Sequence, residues 1–344
     1  MPKLVLVLSF SLLSWLGVLH CQSNSPLQSS FLEKPVKGLT LVAPPKPFPT
    51  DPTHEIQSIG ANCIAIIPYA FTPPQQALVR FGSKRQWWGE RPEGIRKSIE
   101  LAQKRGIHVL LKPQVWSPGW WTGDYSFSTD DEWSTWEEQY ASYITHFAEI
   151  AEKMEVEAFC LGTEFKTAIR ERPQFWQNLI KRIRTIYSGR LTYAANWDNF
   201  ENIPFWDQLD YIGINAYFPL SSEQTPTVSE LVSAWKPMKK KIADHQSQYG
   251  LPVIFTEYGY LSVDRCADKT WELEASIGQL AINEPAQANA IDALHTAFAS
   301  EHYWKGGFLW KWFPNMQGHE GYPEKDYTPQ GKMSEKILES WFKK

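Results

Sequence analysis

The stretch "AFCLGTEF" (residues 158–165) is an apolar run that is followed almost at once by a carboxylate. A strand that is buried on both faces reads as a nearly continuous apolar run, which is typical of parallel sheets. A buried, unpaired charge is costly or becomes protonated. We therefore expect Glu164 at the end of a strand, at the mouth of the sheet and with a partner across it.

Seven further runs of this kind occur along the chain, with amphipathic segments between them. The runs are "GLTLVAP" (38–44), "NCIAIIPYAF" (62–71), "IHVLLKPQVW" (107–116), "RLTYAANWD" (190–198), "YIGINAYF" (211–218), "LPVIFTEYGY" (251–260) and "GGFLWKWFP" (306–314). Eight strand–helix units in a chain of this length predict a single (β/α)8 TIM barrel. A doubly wound sheet would show a glycine-rich loop after its first strand, whereas residues 38–49 are proline-rich.

The N-terminal segment is interpreted as an export signal. One lysine precedes an apolar run from Leu4 to Leu19, and Cys21 follows. The run is short for a spanning helix, which needs about 20 apolar residues, and suits a signal peptide. It resembles a bacterial lipoprotein signal, in which Cys21 carries the lipid. We expect a signal at 1–21, a tether at 22–37, a catalytic barrel at 38–344 and an exported protein, anchored at the cell envelope by Cys21 or, alternatively, secreted.

Composition excludes some partners and favours others. The formal net charge of −4 gives no basic footprint for nucleic acid. The chain contains 17 Trp, whose flat apolar faces suit stacking on sugars as well as core packing. No His, Cys or acidic cluster has metal-ligand spacing, and no cofactor motif is present. We expect no metal, no cofactor and a monomer.

Polar residues at the strand ends are the candidate site residues, because barrel enzymes work at that face. They are Lys112, Gln114, Trp116, Glu164, Asn196, Trp197, Asp198, Asn215, Tyr217, Glu257, Tyr258, Trp310, Lys311 and Trp312. Glu164 and Glu257 follow the fourth and seventh strands, which face each other. Paired carboxylates across a cleft are the machinery of glycoside hydrolysis. Alternatively, each pairs with a lysine such as Lys112 or Lys311.

Several stretches resemble glycoside hydrolase family 113, a family of retaining (β/α)8 glycosidases that act on β-1,4-mannan. They are "IQSIGANCIAIIPYAF", "IRKSIELAQKRGIHVLLKPQVW", "CLGTEF", "YIGINAYFP", "FTEYGY", "GGFLWKWFP" and "TPQGK". The resemblance extends from about residue 38 to the end. It implies that Glu164 is the acid/base and that Glu257 is the nucleophile. It also implies that Tyr217 holds the nucleophile by a hydrogen bond and that the Trp310 ring forms the floor of the sugar site. Thr163 stands where related enzymes carry an asparagine that binds the sugar 2-hydroxyl.

Further sugar contacts are expected from residues at or after strand ends. They are Trp88, Lys112, Trp116, Trp120, Asn196 and Trp197. "WSPGWWTGDY" (116–125) is the best candidate for a cleft wall. "NEP" (283–285) copies a motif that marks the acid/base in related families, but Asn283 suits a helix N-cap and Pro285 the first turn. We expect Glu284 to be structural.

The sequence thus predicts a retaining endo-β-1,4-mannanase with a polysaccharide or oligosaccharide substrate. An exo-acting enzyme or one for another β-glycan is the alternative within enzymes. A non-catalytic, carbohydrate-binding surface lipoprotein is the alternative from another class. A retaining enzyme requires its carboxyl groups about 5–5.5 Å apart, and about 6.5–9.5 Å implies inversion. The pKa of Glu164 should be raised by burial and by Glu257.

Overall fold

The computed structural model describes residues 34–316 and 321–344. The predicted signal at 1–21 and the tether up to residue 33 lie outside the described residues. The first strand begins at Val36, two residues before the predicted start of the barrel. No helix in the described ranges has both the length and the hydropathy to cross a membrane.

Eight parallel strands close into a barrel, as the sequence predicts. They are β1 (Val36–Leu41), β2 (Cys63–Ile66), β4 (His108–Leu111), β6 (Ala158–Thr163), β7 (Arg190–Asn196), β8 (Ile212–Asn215), β9 (Val253–Tyr258) and β10 (Trp304–Trp312). Two short strands, β3 (Tyr69–Phe71) and β5 (Gln114–Trp116), pair with each other outside the barrel. Around the ring the order is β1-β10-β9-β8-β7-β6-β4-β2. Strands β6 and β9 are thus the fourth and seventh of the barrel.

Two of the predicted runs are each divided by a proline. Pro68 separates β2 from β3, and Pro113 separates β4 from β5. Proline has no N–H to donate to a ladder, so each barrel strand ends before it. The continuations then pair with each other as a small parallel sheet at the mouth. This sheet carries Trp116 above the barrel, beside the strand ends.

Helices cover the outside of the barrel. They are α1 (Thr53–Ser58), α2 (Pro92–Lys104), α3 (Asp130–Lys153), α4 (Lys166–Glu171), α5 (Pro173–Arg184), α6 (Val228–Tyr249), α7 (Thr270–Glu274), α8 (Glu284–Phe298) and α9 (Met333–Phe342). Local capping fixes several starts, since Thr129 and Thr227 each form a capping box. Asn283 caps α8 through Ala286 N at 3.0 Å, and Glu284 accepts from Met333 N at 3.0 Å. The "NEP" motif is therefore structural.

The strands are buried on both faces, which explains their continuous apolar sequences. Alternate residues such as Cys63 and Ala65 join a small cluster inside the barrel. Their neighbours Ile64 and Ile66 pack outward in the main core with the helices. Burial on both sides leaves the strand ends as the places where polar side chains meet solvent.

Candidate active site

Glu164 follows β6 directly and has a strained backbone. Its φ is +61°, in the left-handed region that a non-glycine residue enters at a cost of about 1–3 kcal/mol. Its N–H donates to Ala194 O at 2.9 Å, and its own carbonyl accepts from Lys166 N at 2.8 Å. These bonds to β7 and to α4 hold the turn that places the carboxyl at the barrel mouth.

The Glu164 side chain is half-buried and accepts two hydrogen bonds from uncharged donors. Asn215 Nδ2 donates to Oε1 at 2.8 Å, and Trp121 Nε1 donates to Oε2 at 2.7 Å. Burial raises the pKa of Glu164 above its ordinary value, and the charge of Glu257 raises it further. The two donors and the more distant Lys112 oppose this rise. The net result is a raised pKa of Glu164, as expected.

Glu257 lies in β9 with a different set of partners. Its side chain is buried, and Lys112 Nζ makes a hydrogen-bonded ion pair with Oε1. Gln114 Nε2 also donates to Oε1 at 2.7 Å, and Tyr217 OH donates to Oε2 at 2.8 Å. A cation and two further donors are contacts that a carboxylate accepts as strong, charge-assisted hydrogen bonds.

Tyr217 makes the contact to Glu257 that the sequence predicts. Burial raises the pKa of the Tyr217 hydroxyl far above its ordinary value, and the charge of Glu257 adds to the effect. The hydroxyl therefore keeps its proton and acts as a donor. The ring also packs edge-on against Tyr327, with ring centroids 6.3 Å apart, which fixes its direction.

The two carboxyl groups thus occupy unlike surroundings. Glu257 is paired with a buried lysine, whereas Glu164 has only neutral donors and a raised pKa. The alternative interpretation is that each glutamate makes an ion pair with a lysine. Among the described residues, Glu257 does so and Glu164 does not. Such a pair can supply one proton donor and one anionic oxygen at the same opening, which is what acid-assisted cleavage of a glycosidic bond needs.

Three of the predicted sugar contacts have partners within the protein. Lys112 is fully enclosed, at 0% exposure, so it neutralises Glu257 and does not face a ligand. The Trp120 ring packs inside its own loop on Tyr125, with centroids 4.2 Å apart. Trp88 packs edge-on against Phe48 at 5.4 Å, and its neighbour Trp87 lines the cleft described below.

The other predicted contacts lie around the opening. Trp116 and Trp310 line a cleft of about 710 Å³, and Trp116 is 56% exposed. Trp197 stacks on Trp271, with centroids 5.7 Å apart and planes 18° apart. Asn196 Nδ2 donates to Asp198 Oδ1 at 3.1 Å.

Sequence reasoning gave no role to four residues that contact the site. Gln114 and Asn215 stood among the strand-end residues, and their position was the available signal. Trp121 lay in the predicted wall, but nothing in the sequence separates it from Trp120. Trp271 is on α7, far along the chain from Trp197, and gave no local signal.

Within 34–316 and 321–344, no group of three or more His, Cys, Asp or Glu side chains is placed to hold a metal.

The family model described as Glycoside Hydrolase Family 113 matches residues 51–332. No curated protein matches the chain.

Two solved structures are similar over nearly their whole length. A GH113 β-1,4-mannanase in complex is 26% identical, with a TM-score of 0.76, over 90% of this chain and 99% of that one. The GH113 β-mannanase AaManA from Alicyclobacillus acidocaldarius, in complex with ManMIm, is 25% identical. Its TM-score is 0.77, over 90% of this chain and 97% of that one.

Proposed function

Since the chain belongs to glycoside hydrolase family 113, we propose that this glycoside hydrolase is an endo-β-1,4-mannanase that works with retention of configuration. Glu164 is the general acid/base and Glu257 is the nucleophile. The observation that carries the proposal is the contrast between the two carboxyl groups. Lys112 makes an ion pair with Glu257, and burial raises the pKa of Glu164.

The first step forms a covalent intermediate. A carboxylate oxygen of Glu257 attacks the anomeric carbon, and the bond from that carbon to the glycosidic oxygen breaks. Glu164 gives its proton to the leaving oxygen. Tyr217 and Gln114 hold the attacking carboxylate by hydrogen bonds of 2.8 and 2.7 Å.

The second step hydrolyses the intermediate. Glu164, now a carboxylate, takes a proton from water, whose oxygen attacks the anomeric carbon as its bond to Glu257 breaks. Glu164 regains its proton and Glu257 its charge, so the enzyme returns to its starting state. Two inversions give net retention. We expect the two carboxyl groups about 5–5.5 Å apart in the substrate complex.

The choice of mannan rests on the family and on the two similar mannanases. A panel of β-mannan, glucomannan, xylan and cellulose tests it, with product sizes followed over time. We expect early release of mixed oligosaccharides from the two mannans, with Glu257→Ala as the inactive control. Monosaccharide alone as the early product would indicate exo action, and cleavage confined to xylan or cellulose would refute mannan specificity.

The stereochemical outcome is measured separately. Proton NMR on fresh product should show the β-anomer first, before mutarotation. Appearance of the α-anomer first would mean inversion by a water molecule, with Glu257 as a base.

We also propose that the protein is exported and carries lipid on Cys21. The support is the apolar run from Leu4 to Leu19 and the cysteine that follows it. Mass spectrometry of the membrane fraction should find a mature N-terminus at a lipidated Cys21. A soluble product cut elsewhere would refute the anchor and leave export intact.

A further inference from the structure

An open cleft of about 710 Å³ lies at the barrel mouth beside Trp310. Its wall is built from the ends of β1 and β10, the small sheet of β3 and β5, and the segment 80–90. Tyr69, Trp87 and Trp116 contribute aromatic side chains, and Arg80 and Arg85 contribute the two guanidinium groups. Such a volume is that of a small-molecule or oligosaccharide site.

Both arginines are carried by a fixed backbone. Arg80 forms an antiparallel bridge with Phe71, with N–H to carbonyl distances of 2.9 and 2.8 Å. Arg85 N donates to Ser83 Oγ at 3.2 Å, and the next residue, Gln86, donates from Nε2 to Tyr69 O at 2.7 Å. The stems of both side chains therefore start from defined positions on the cleft wall.

The guanidinium groups themselves are free. Among the described residues, neither Arg80 nor Arg85 makes a side-chain hydrogen bond or an ion pair, and both are exposed. The other charged side chains of the wall are engaged, since Lys311 lies 3.3 Å from Asp326 and Glu90 has a partner of its own. The cleft thus concentrates unpaired positive charge in a chain whose formal net charge is −4.

The cleft lies on the side of the barrel away from Glu164. Three strands separate β10 from β6 in either direction around the ring, so the two are diametrically opposite. An acid must stand next to the oxygen that it protonates, so the leaving part of the glycan lies on the side of Glu164. The glycone then extends towards Trp310 and the cleft; this step rests on the proposed function.

We propose that the cleft is a glycone-side subsite for a β-linked glycan that bears an anionic oxygen group, a carboxylate or a phosphate ester. Arg80 and Arg85 contact the anionic group, and Trp116 and Trp310 contact the sugar faces. A guanidinium presents a planar fork of donors that fits two oxygens at once. Two unpaired like charges that face one concave surface attract an anion more strongly than they attract neutral hydroxyls.

Calorimetric titration tests the proposal in the inactive Glu164→Gln background. The probes are two series of β-1,4-linked trisaccharides, one of mannose and one of glucose. Each series has a neutral member, a member with a uronate at the non-reducing end and a member with a 6-phosphate at that end. The charged probe of a pair should bind roughly tenfold more tightly than the neutral one, since charge-assisted hydrogen bonds are stronger than neutral ones. The carboxylate and phosphate arms distinguish the two sources of negative charge.

Arg80→Gln with Arg85→Gln should remove the preference and leave affinity for the neutral probe within about twofold, as expected for exposed substitutions. Lys84→Gln is the matched control, because it removes a charge from the same turn without lining the cleft. At 1 M salt, where the Debye length is about 3 Å, the preference should also fall.

Equal affinity for charged and neutral probes, an equal loss on both in the double variant, an equal effect of Lys84→Gln, or no binding of any probe would each overturn the proposal. Because the probes are built on both mannose and glucose, the test of charge preference is separate from the test of mannan specificity. A charge preference seen only with glucose-based probes would support the cleft and contradict the mannanase. Cleavage of mannan without any charge preference would support the mannanase and contradict the proposal for the cleft.

Discussion

Asn215 donates a hydrogen bond of 2.8 Å to Glu164 while its backbone pairs in register with Glu257 on the next strand. The Asn215 side chain is buried, and its Oδ1 accepts from Thr256 at 2.8 Å, which fixes the orientation of the amide. One residue thus ties the fourth barrel strand to the seventh. The contact explains why a carboxyl with a raised pKa keeps a defined direction at an open mouth.

Trp121→Phe should move the alkaline limb of kcat/KM to higher pH. Burial is the main cause of the raised pKa of Glu164, and a phenyl ring keeps most of the apolar cover. The indole N–H at 2.7 Å opposes the rise by binding the charged form. Its loss therefore leaves Glu164 protonated to higher pH, and the pH profile of kcat/KM measures this.

Two further variants control this experiment. Trp120→Phe, in the same loop but packed on Tyr125, should leave the limb in place. Gly123→Ala should act in the same direction as Trp121→Phe, because an added Cβ would lie 2.3 Å from carbons of the Trp121 ring and displace it. A limb that stays in place in both Trp121→Phe and Gly123→Ala would show that this indole has no influence on the acid.

Glu164→Gln should stabilise the protein at neutral pH but not at acidic pH. The pKa of Glu164 is raised above its ordinary value of 4.5 in the folded state. Between 4.5 and the raised value the folded state binds more protons than the unfolded state, so wild-type stability falls as pH rises. Glutamine carries no charge and escapes this loss.

Urea unfolding at several pH values measures the difference in the free energy of unfolding between Glu164→Gln and wild type. It should vanish below pH 4.5 and grow above it. Glu138→Gln, on the exposed side of α3, is the control for removal of a carboxylate away from the site. A constant difference for Glu164→Gln would contradict the raised pKa.

Lys112→Met should destabilise the fold by about 3–5 kcal/mol, because it leaves the buried carboxylate of Glu257 without its cation. Lys112→Met combined with Glu257→Gln should recover much of that loss, since neither charge remains. Denaturant unfolding of the two single variants and the double variant gives the coupling free energy. Additive losses would mean that the ion pair contributes nothing to stability.

The barrel could be predicted because its signal is local and repeated. Each of the eight runs overlaps a barrel strand, and the missing N–H of the prolines at positions 68 and 113 accounts for the split of two runs. The carboxylate pair followed from position at the strand ends alone. These inferences need only the residue order and the rule that parallel strands end on one face.

The surroundings of the carboxylates depended on contacts that residue order does not contain. Whether Trp120 or Trp121 turns toward Glu164 depends on the loop backbone, and both have the same chemistry. Position at a strand end predicts that Lys112 faces the substrate, yet its side chain is enclosed and paired with Glu257. The positive φ of Glu164 has no sequence signal, since no glycine or asparagine marks it.

The proposed roles predict opposite behaviour for alanine variants of the two glutamates. Glu257→Ala removes the nucleophile, so turnover should fall by at least about 10⁴-fold on every substrate. Added azide can then enter the vacated space and attack the anomeric carbon from that side. A single displacement follows, and NMR should identify a glycosyl azide of inverted configuration.

Glu164→Ala removes the proton donor and should slow formation of the intermediate only for substrates whose leaving group needs a proton. Turnover of mannan should fall by about 10²–10⁴-fold, the usual contribution of a general acid. Formation of the intermediate from a 2,4-dinitrophenyl glycoside should continue at nearly the wild-type rate, because that leaving group departs without a proton, and a burst of dinitrophenol measures it. Water lacks its base in the second step, so the intermediate should accumulate. Equal losses in the rate of intermediate formation on the natural and the activated substrate would refute Glu164 as the acid. Azide rescue of Glu257→Ala with a retained product would refute Glu257 as the nucleophile.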